Sequence, residues 1–164
     1  MSGLDARQLR DHVVKPALAA LGLPGGLPME KLVFGTACHE SDGFRYIHQL
    51  GKGPALSLWQ VEPATAKDAL DRAPLRLAAV MTELAGGTAF PNGIISQLPG
   101  NLYLGAAMCR LVYYMKPFNL AILEDGNIWA LAACWKRFYN SPLGAGTEGQ
   151  FIRNWDKYCA EIYR

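Results

Sequence analysis

The chain reads Ala-Cys-His-Glu-Ser-Asp-Gly over residues 37–43 and Ser-Leu-Trp-Gln-Val-Glu-Pro-Ala-Thr over residues 57–65. The first segment ends a run, 29–41, that is apolar almost all round and closes on a single carboxylate, Glu40. A helix of that kind is usually buried at the centre of a domain. A carboxyl group at its end is partly desolvated and faces the negative end of the helix dipole, and both effects raise its pKa. The stretch therefore predicts a central helix that carries a proton donor, although the spacing alone also fits a solvated glutamate at a helix end.

The remainder of the chain predicts a mainly α protein. Pro16 lies inside the first helical segment and predicts a kink or a break there. No alternation of apolar and polar residues is long enough to require a strand, so we expect at most a small β-hairpin within 44–60. Gly- and Pro-rich stretches predict loops over 22–28, 82–92 and 141–146. Apolar residues recur at helical spacing over five further segments, 4–21, 62–70, 101–115, 128–138 and 148–163.

Length and composition indicate one domain spanning residues 1–164, since 164 residues with 51% apolar side chains can bury a substantial core. A net charge of +2 is too small to indicate a nucleic-acid partner. The N-terminal residues lack the basic start and apolar core of a signal peptide, and no apolar run is long enough to span a bilayer. We therefore expect synthesis in the cytoplasm without a leader. Buried free thiols are expected at the four cysteines, Cys38, Cys109, Cys134 and Cys159, because each lies in an apolar, helix-like segment.

Four segments, in this order, resemble motifs of the lytic transglycosylases of the lysozyme superfamily, particularly short phage-borne members. Glu40-Ser41 matches the Glu-Ser pair of that family, and residues 57–65 are similar to its Gly-Leu-Met-Gln-Ile-x-Pro-x-Thr segment. Asn101-Leu102-x-x-Gly105 is similar to its Asn-Ile-x-x-Gly helix start. Trp-Ala-Leu-Ala-Ala over 129–133, followed later by Tyr-Asn over 139–140, is similar to its Ala-Leu-Ala-Ala-Tyr-Asn. The resemblance covers about residues 28–145.

The resemblance implies a lysozyme-like (α+β) domain that cleaves the bond between MurNAc and GlcNAc in peptidoglycan. One carboxyl group, Glu40, would serve as both acid and base and leave a 1,6-anhydro end. Substrate contacts are implied for Ser41, Gln60, Trp59, Tyr139 and Asn140. Ser41 would alternatively orient the catalytic acid. Trp59 stands where the family has Met, and its ring would face either a sugar or the hydrophobic core.

Two departures from the family pattern bear on the site. Ser57 replaces a glycine, and serine is unfavourable there if the position needs a positive φ. Tyr139 comes five residues later than the family's tyrosine, a little more than one helical turn, so we expect its direction to be nearly preserved and its hydroxyl to reach the cleft near Glu40.

Two other readings remain open. A glycoside hydrolase on the same fold would use a second carboxylate, for which Asp42 and Glu62 are the candidates. A non-catalytic virion or wall-binding protein would keep only the scaffold. We expect no cofactor, and no metal site at His12, His39 or His48, because no metal-binding spacing is present. The expected partners are peptidoglycan glycan strands and other virion proteins, with the protein delivered to the cell wall by a virion or released through a holin.

Overall fold

The computed structural model describes residues 3–140 and 144–164, and this part of the chain is mainly helical. Its β pairing is limited to two isolated antiparallel bridges, His48–Leu56 and Leu56–Val61, so the small hairpin allowed within 44–60 is present only as these two bridges. Short 3₁₀ turns occupy Leu50–Lys52, Leu120–Gly126 and Ala160–Tyr163. The helices are α1 (6–21), α2 (Gly26–Glu40), α3 (Pro63–Asp71), α4 (Leu75–Leu84), α5 (Asn92–Ser96), α6 (Leu102–Tyr114), α7 (128–140) and α8 (Glu148–Tyr158).

The central helix is α2, as its apolar sequence predicts. Its residues 32–38 are all buried, and α1, α6, α7 and α8 surround it. Gly35 permits the closest of these contacts, since a Cβ there would lie 2.8 Å from Phe151 Cζ of α8. Because α2 is fixed on all sides, its last residue, Glu40, is held in a defined position.

Helix α6 anchors the 57–60 turn, which the Leu56–Val61 bridge encloses. Asn101 caps the helix by accepting from Leu104 N at 3.0 Å, and its side-chain nitrogen donates to Leu84 O at 2.8 Å. Trp59 packs on Gly105, where a Cβ would lie 2.9 Å from Trp59 Cε3. The family motif that begins at Asn101 therefore coincides here with a helix cap and a close contact with the 57–60 turn.

Pro16 widens helix α1 without ending it. The helix consists of Ala6–Leu9, a π turn over Arg10–Val14 and a second α segment, Lys15–Leu21. Proline cannot donate a backbone hydrogen bond and crowds the preceding turn, and a π turn at that place relieves both problems. Of the predicted kink or break, the break is absent, and the irregularity takes the form of a π turn just before the proline.

Two helices lie where the sequence pattern did not predict them. Helix α4 (Leu75–Leu84) occupies a stretch without a prediction and runs into the predicted loop over 82–92, and α5 begins at Asn92. The Gly86–Gly87 pair follows α4, and both glycines have positive φ. The loop prediction is therefore correct only for the residues between the two helices, and the predicted loop over 141–146 lies partly outside the described residues.

The four cysteines are buried and unpaired, as predicted. Across residues 3–140 and 144–164, no helix combines the length and the apolar character needed to cross a membrane.

Candidate active site

A groove of about 860 Å³ opens at the C-terminal end of α2. Its walls come from the irregular segment 41–62, from the end of α6 and from the last turn of α7. A volume of that size is within the range of ligand-binding clefts. Four of the residues predicted for the site, Glu40, Gln60, Tyr139 and Asn140, line this groove.

Glu40 is the last residue of α2, and its Oε1 accepts a hydrogen bond from Trp135 Nε1 at 2.8 Å. Burial raises the pKa of Glu40 from 4.5 to about 7, while the hydrogen bond from Trp135 acts in the opposite direction. A carboxyl group with a pKa near 7 is present in both protonation states at neutral pH. This is the property that general acid and base catalysis requires.

Trp135 holds Glu40 from below the groove. The indole is fully buried, stands edge-on to His39 with ring centroids 4.4 Å apart, and packs on Phe151 at 5.4 Å. His39 in turn lies 3.1 Å from Asn154 Nδ2 through its Nδ1, and burial lowers the pKa of His39 to about 4. The imidazole of His39 is therefore neutral at pH 7. It does not favour the ionised form of Glu40, as a cationic imidazolium would.

Tyr139 faces the groove from α7. Its hydroxyl donates to Trp59 O at 2.8 Å, and its ring lies 5.2 Å from that of Tyr113. Burial raises the pKa of Tyr139, and the neighbouring Cys109 and Glu40 act in the same direction. The phenol is therefore a neutral hydrogen-bond donor.

The five-residue delay of Tyr139 coincides with a π turn over Lys136–Asn140 at the end of α7. Five residues exceed one α-helical turn of 3.6 residues, whereas the hydrogen bonds of a π turn join residues five apart. Tyr139 lies within this π turn and lines the groove. The sequence predicted the position of this side chain but not the backbone that produces it.

Gln60 forms the opposite wall. Its side-chain nitrogen donates to Ser57 O at 2.8 Å, and within the described residues its side-chain oxygen has no protein donor. Both Ser57 and Gln60 adopt positive φ, +68° and +47°. Ser57 therefore stands in the left-handed region that favours glycine, and its Oγ supports the turn by accepting from Trp59 N at 3.2 Å.

Two predicted substrate contacts are corrected by the structure. Trp59 has 0% exposure and donates through Nε1 to Val33 O at 2.8 Å, so its ring belongs to the core and offers no face to a sugar. Ser41 also has 0% exposure, and its Oγ donates to Ala37 O at 2.6 Å, which closes the end of α2. Neither side chain reaches the groove.

Trp135, the residue in direct contact with the candidate acid, was not predicted from the sequence. A buried indole N–H needs an acceptor, which was the available signal, but its acceptor lies 95 residues away along the chain. Lys116 also lines the groove and belongs to no motif, and Thr65, the last residue of the 57–65 segment, lines it as well.

Both alternative carboxylates lie on the groove, but they differ in their surroundings. Asp42 accepts from Arg45 Nη1 at 2.8 Å and from Tyr158 OH at 3.2 Å, so its oxygens are engaged. Glu62 is exposed at the start of α3. No group of three or more potential metal ligands among His, Cys, Asp and Glu occurs in the described part of the chain.

The chain matches no protein-family model, no curated protein and no solved structure. The geometry of the groove and the motifs of the sequence are therefore the only indications of function.

Proposed function

We propose that the protein is a peptidoglycan lytic transglycosylase with a lysozyme-like domain, in which Glu40 is the single acid and base. The observation that carries the proposal is a carboxyl group with a pKa of about 7, held by an indole N–H at the wall of a groove of about 860 Å³. A proton donor of this kind is what cleavage of a glycosidic bond needs at neutral pH.

The reaction uses Glu40 twice. The protonated carboxyl first gives its proton to the glycosidic oxygen between MurNAc and GlcNAc, and the bond from that oxygen to C1 of MurNAc breaks. The carboxylate then takes the proton of the MurNAc C6 hydroxyl while the C6 oxygen bonds to C1. The products are a free 4-hydroxyl on GlcNAc and a 1,6-anhydro ring on MurNAc, and the side chain ends protonated, as it began.

The other groove residues bind and orient the substrate. The side-chain oxygen of Gln60 is available to a sugar hydroxyl, since only its nitrogen is engaged by the protein. Tyr139 fixes the turn that carries Gln60 by donating to Trp59 O. Asn140 lines the groove, and its Oδ1 accepts from Lys136 Nζ at 2.9 Å, while its side-chain nitrogen has no acceptor within residues 3–140 and 144–164.

A second candidate function, a two-carboxylate hydrolase, is favoured by one observation. Glu62 is an exposed carboxylate on the same groove as Glu40. In that mechanism it would activate water or attack C1. The products distinguish the two reactions, because hydrolysis leaves a reducing end and the transglycosylase leaves an anhydro end.

The test is mass spectrometry of purified peptidoglycan after digestion by the protein and by two matched variants, Glu40→Gln and Glu62→Gln. The proposal expects anhydro-muropeptides from the unchanged protein, a loss of about 10³-fold or more in Glu40→Gln, and near-normal release in Glu62→Gln. Reducing ends that disappear in both variants would establish the hydrolase instead. No release by any of the three, with retained binding to wall fragments, would leave the non-catalytic wall-binding protein as the explanation.

The variant motifs of the chain are similar to those of phage-borne enzymes, so we further propose a role in opening the bacterial wall during DNA entry or lysis. Delivery by the virion predicts that the protein is found in purified particles. Release through a holin predicts that it is absent from particles and accumulates in the infected cell before lysis.

A further inference from the structure

A second pocket, of about 260 Å³, lies at the opposite end of α2 from Glu40. It lies against α1 and the N-terminus of α2, and Arg110 of α6 contributes to its wall. It shares no residue with the groove. The 15 residues of α2, at 1.5 Å each, separate the two sites by about 22 Å.

Arg110 is the unusual feature of this pocket. The residue is 3% exposed, and its Nη2 donates to Pro24 O at 2.9 Å. Within the described residues no carboxylate lies within 4 Å of its guanidinium, and burial lowers the pKa of Arg110. A buried charge without a counter-ion is rare in proteins.

Arg110 lines the pocket, and its guanidinium nitrogens other than Nη2 have no hydrogen-bond partner among the described residues. The one buried side-chain polar atom without a partner in the described residues is Thr88 Oγ1, so these nitrogens of Arg110 are reached by solvent. Since the residue is otherwise enclosed and lines this pocket, the pocket is where its remaining donors become accessible.

The start of α2 adds donors on the same side. Gly25 provides no side-chain cap, and the Gly26 N–H has no backbone acceptor in the described chain. A Cβ at Gly26, which lines the pocket, would meet no atom within 4 Å, so the space in front of it is open. Free N–H groups at a helix start, together with the positive end of the helix dipole, favour an anion.

The remaining walls favour a singly charged anion over a dianion. Lys15 lines the pocket but is paired with Asp11 at 2.9 Å, and Glu30, which also lines it, accepts from Tyr163 OH at 3.0 Å. Glu30 repels any anion, but it repels a dianion about twice as strongly as a monoanion. Apolar lining comes from Leu18, Leu23 and Met29.

We propose that this pocket binds the carboxylate of a small, partly apolar molecule, with Arg110 and the Gly26 amide as its hydrogen-bond donors. The planar guanidinium matches a carboxylate in a two-point contact. The carboxylate belongs either to a free acid or to the C-terminus of a peptide. The binding is independent of the reaction proposed at Glu40.

The experiment is a titration of the full chain followed by ¹H–¹⁵N NMR. The probes are isovalerate as a free apolar acid, N-acetylalanine as a peptide C-terminus, isovaleramide as the neutral isostere and inorganic phosphate as a dianion. We expect saturable shifts of the Gly26 amide and the Arg110 side chain with at least one carboxylate, and none with isovaleramide. The tighter of isovalerate and N-acetylalanine identifies the source, whereas no saturable shift with either, or equal shifts with isovaleramide, would overturn the proposal.

Variants connect the binding to Arg110. Arg110→Met is expected to weaken carboxylate binding about tenfold or more, and Arg110→Lys, which keeps the charge and a donor for Pro24 O, to weaken it less. Arg72→Met removes an exposed arginine of an i,i+4 ion pair and is the matched control. Unchanged affinity in Arg110→Met contradicts the site, and if that variant does not fold, the comparison of isovalerate with isovaleramide on the unchanged protein still decides.

Discussion

Replacing Glu40 with glutamine should change how the stability of the protein depends on pH. Glutamine keeps a carbonyl oxygen that can accept the Trp135 N–H but cannot ionise. Burial raises the pKa of Glu40 from 4.5 to about 7 in the folded protein. At about 1.4 kcal/mol per pH unit, this difference is worth about 3 kcal/mol of unfolding free energy.

The sign follows from proton binding. Between pH 4.5 and about 7 the folded protein holds the proton of Glu40 while the unfolded chain has released it. Stability from this group is therefore complete below pH 4.5 and decreases as the pH rises toward 7. As the pH rises across this window, the unfolding free energy of Glu40→Gln should increase relative to that of the unchanged protein by up to about 3 kcal/mol. Above this window the difference should stay constant.

Urea unfolding of both proteins at several pH values measures the difference. Glu62→Gln removes one carboxylate from the same groove, but an exposed one, and serves as the control for net charge. A difference between Glu40→Gln and the unchanged protein that stays constant from pH 4.5 to above 7 would refute the argument. The carboxyl group would then be solvated in solution, and the proposed acid would lose its main support.

Three further variants test the surroundings of the site. Trp135→Phe removes the N–H that lowers the pKa of Glu40, so the upper pH limit of muropeptide release should move up by about one unit. Tyr139→Phe leaves Trp59 O without its donor and should lower the unfolding free energy by about 1 kcal/mol, measured by urea unfolding. Gly105→Ala places a methyl group 2.9 Å from Trp59 Cε3 and should cost about 1–3 kcal/mol in the same assay.

Each of these variants has a matched control in the chain. Trp129→Phe changes an indole that is 67% exposed and should leave the pH limit in place, and Tyr103→Phe removes a hydroxyl from a tyrosine that is 40% exposed. Gly100→Ala adds a methyl group with no atom within 4 Å and should be nearly neutral. If a control and its test variant behave alike, the corresponding contact does not have the effect assigned to it.

The sequence allowed the central helix and its terminal acid to be predicted because both depend on local composition. The run 29–41 is apolar almost all round, which favours burial, and Glu40 is the carboxylate at its end. The helix start at Asn101 could be predicted for the same reason, since an asparagine cap contacts a backbone N–H only three residues away. The short helices α4 and α5 were missed, because neighbouring glycines and prolines also favour a loop there.

The remainder of the site depends on contacts between distant segments. Trp59 is drawn into the core by Gly105, 46 positions later, and by Val33 O. Whether a tryptophan in a motif faces a ligand or the core therefore cannot be read from the motif. The same limit applies to Trp135, whose acceptor is supplied by another helix.

Three ionisable side chains that line the groove, His39, Tyr139 and Glu40, have pKa values that burial shifts in different directions. Burial lowers the pKa of His39 to about 4, raises that of Tyr139 and brings that of Glu40 to about 7. Histidine and tyrosine are therefore neutral at pH 7, and of these three groups Glu40 alone changes charge near neutrality. A single group that alternates between acid and base needs such neutral neighbours, because a fixed cation beside it would stabilise the carboxylate and remove the proton donor. The pH dependence of the proposed reaction should accordingly show one ionisation in this range, that of Glu40, and His39→Gln should leave its midpoint unchanged.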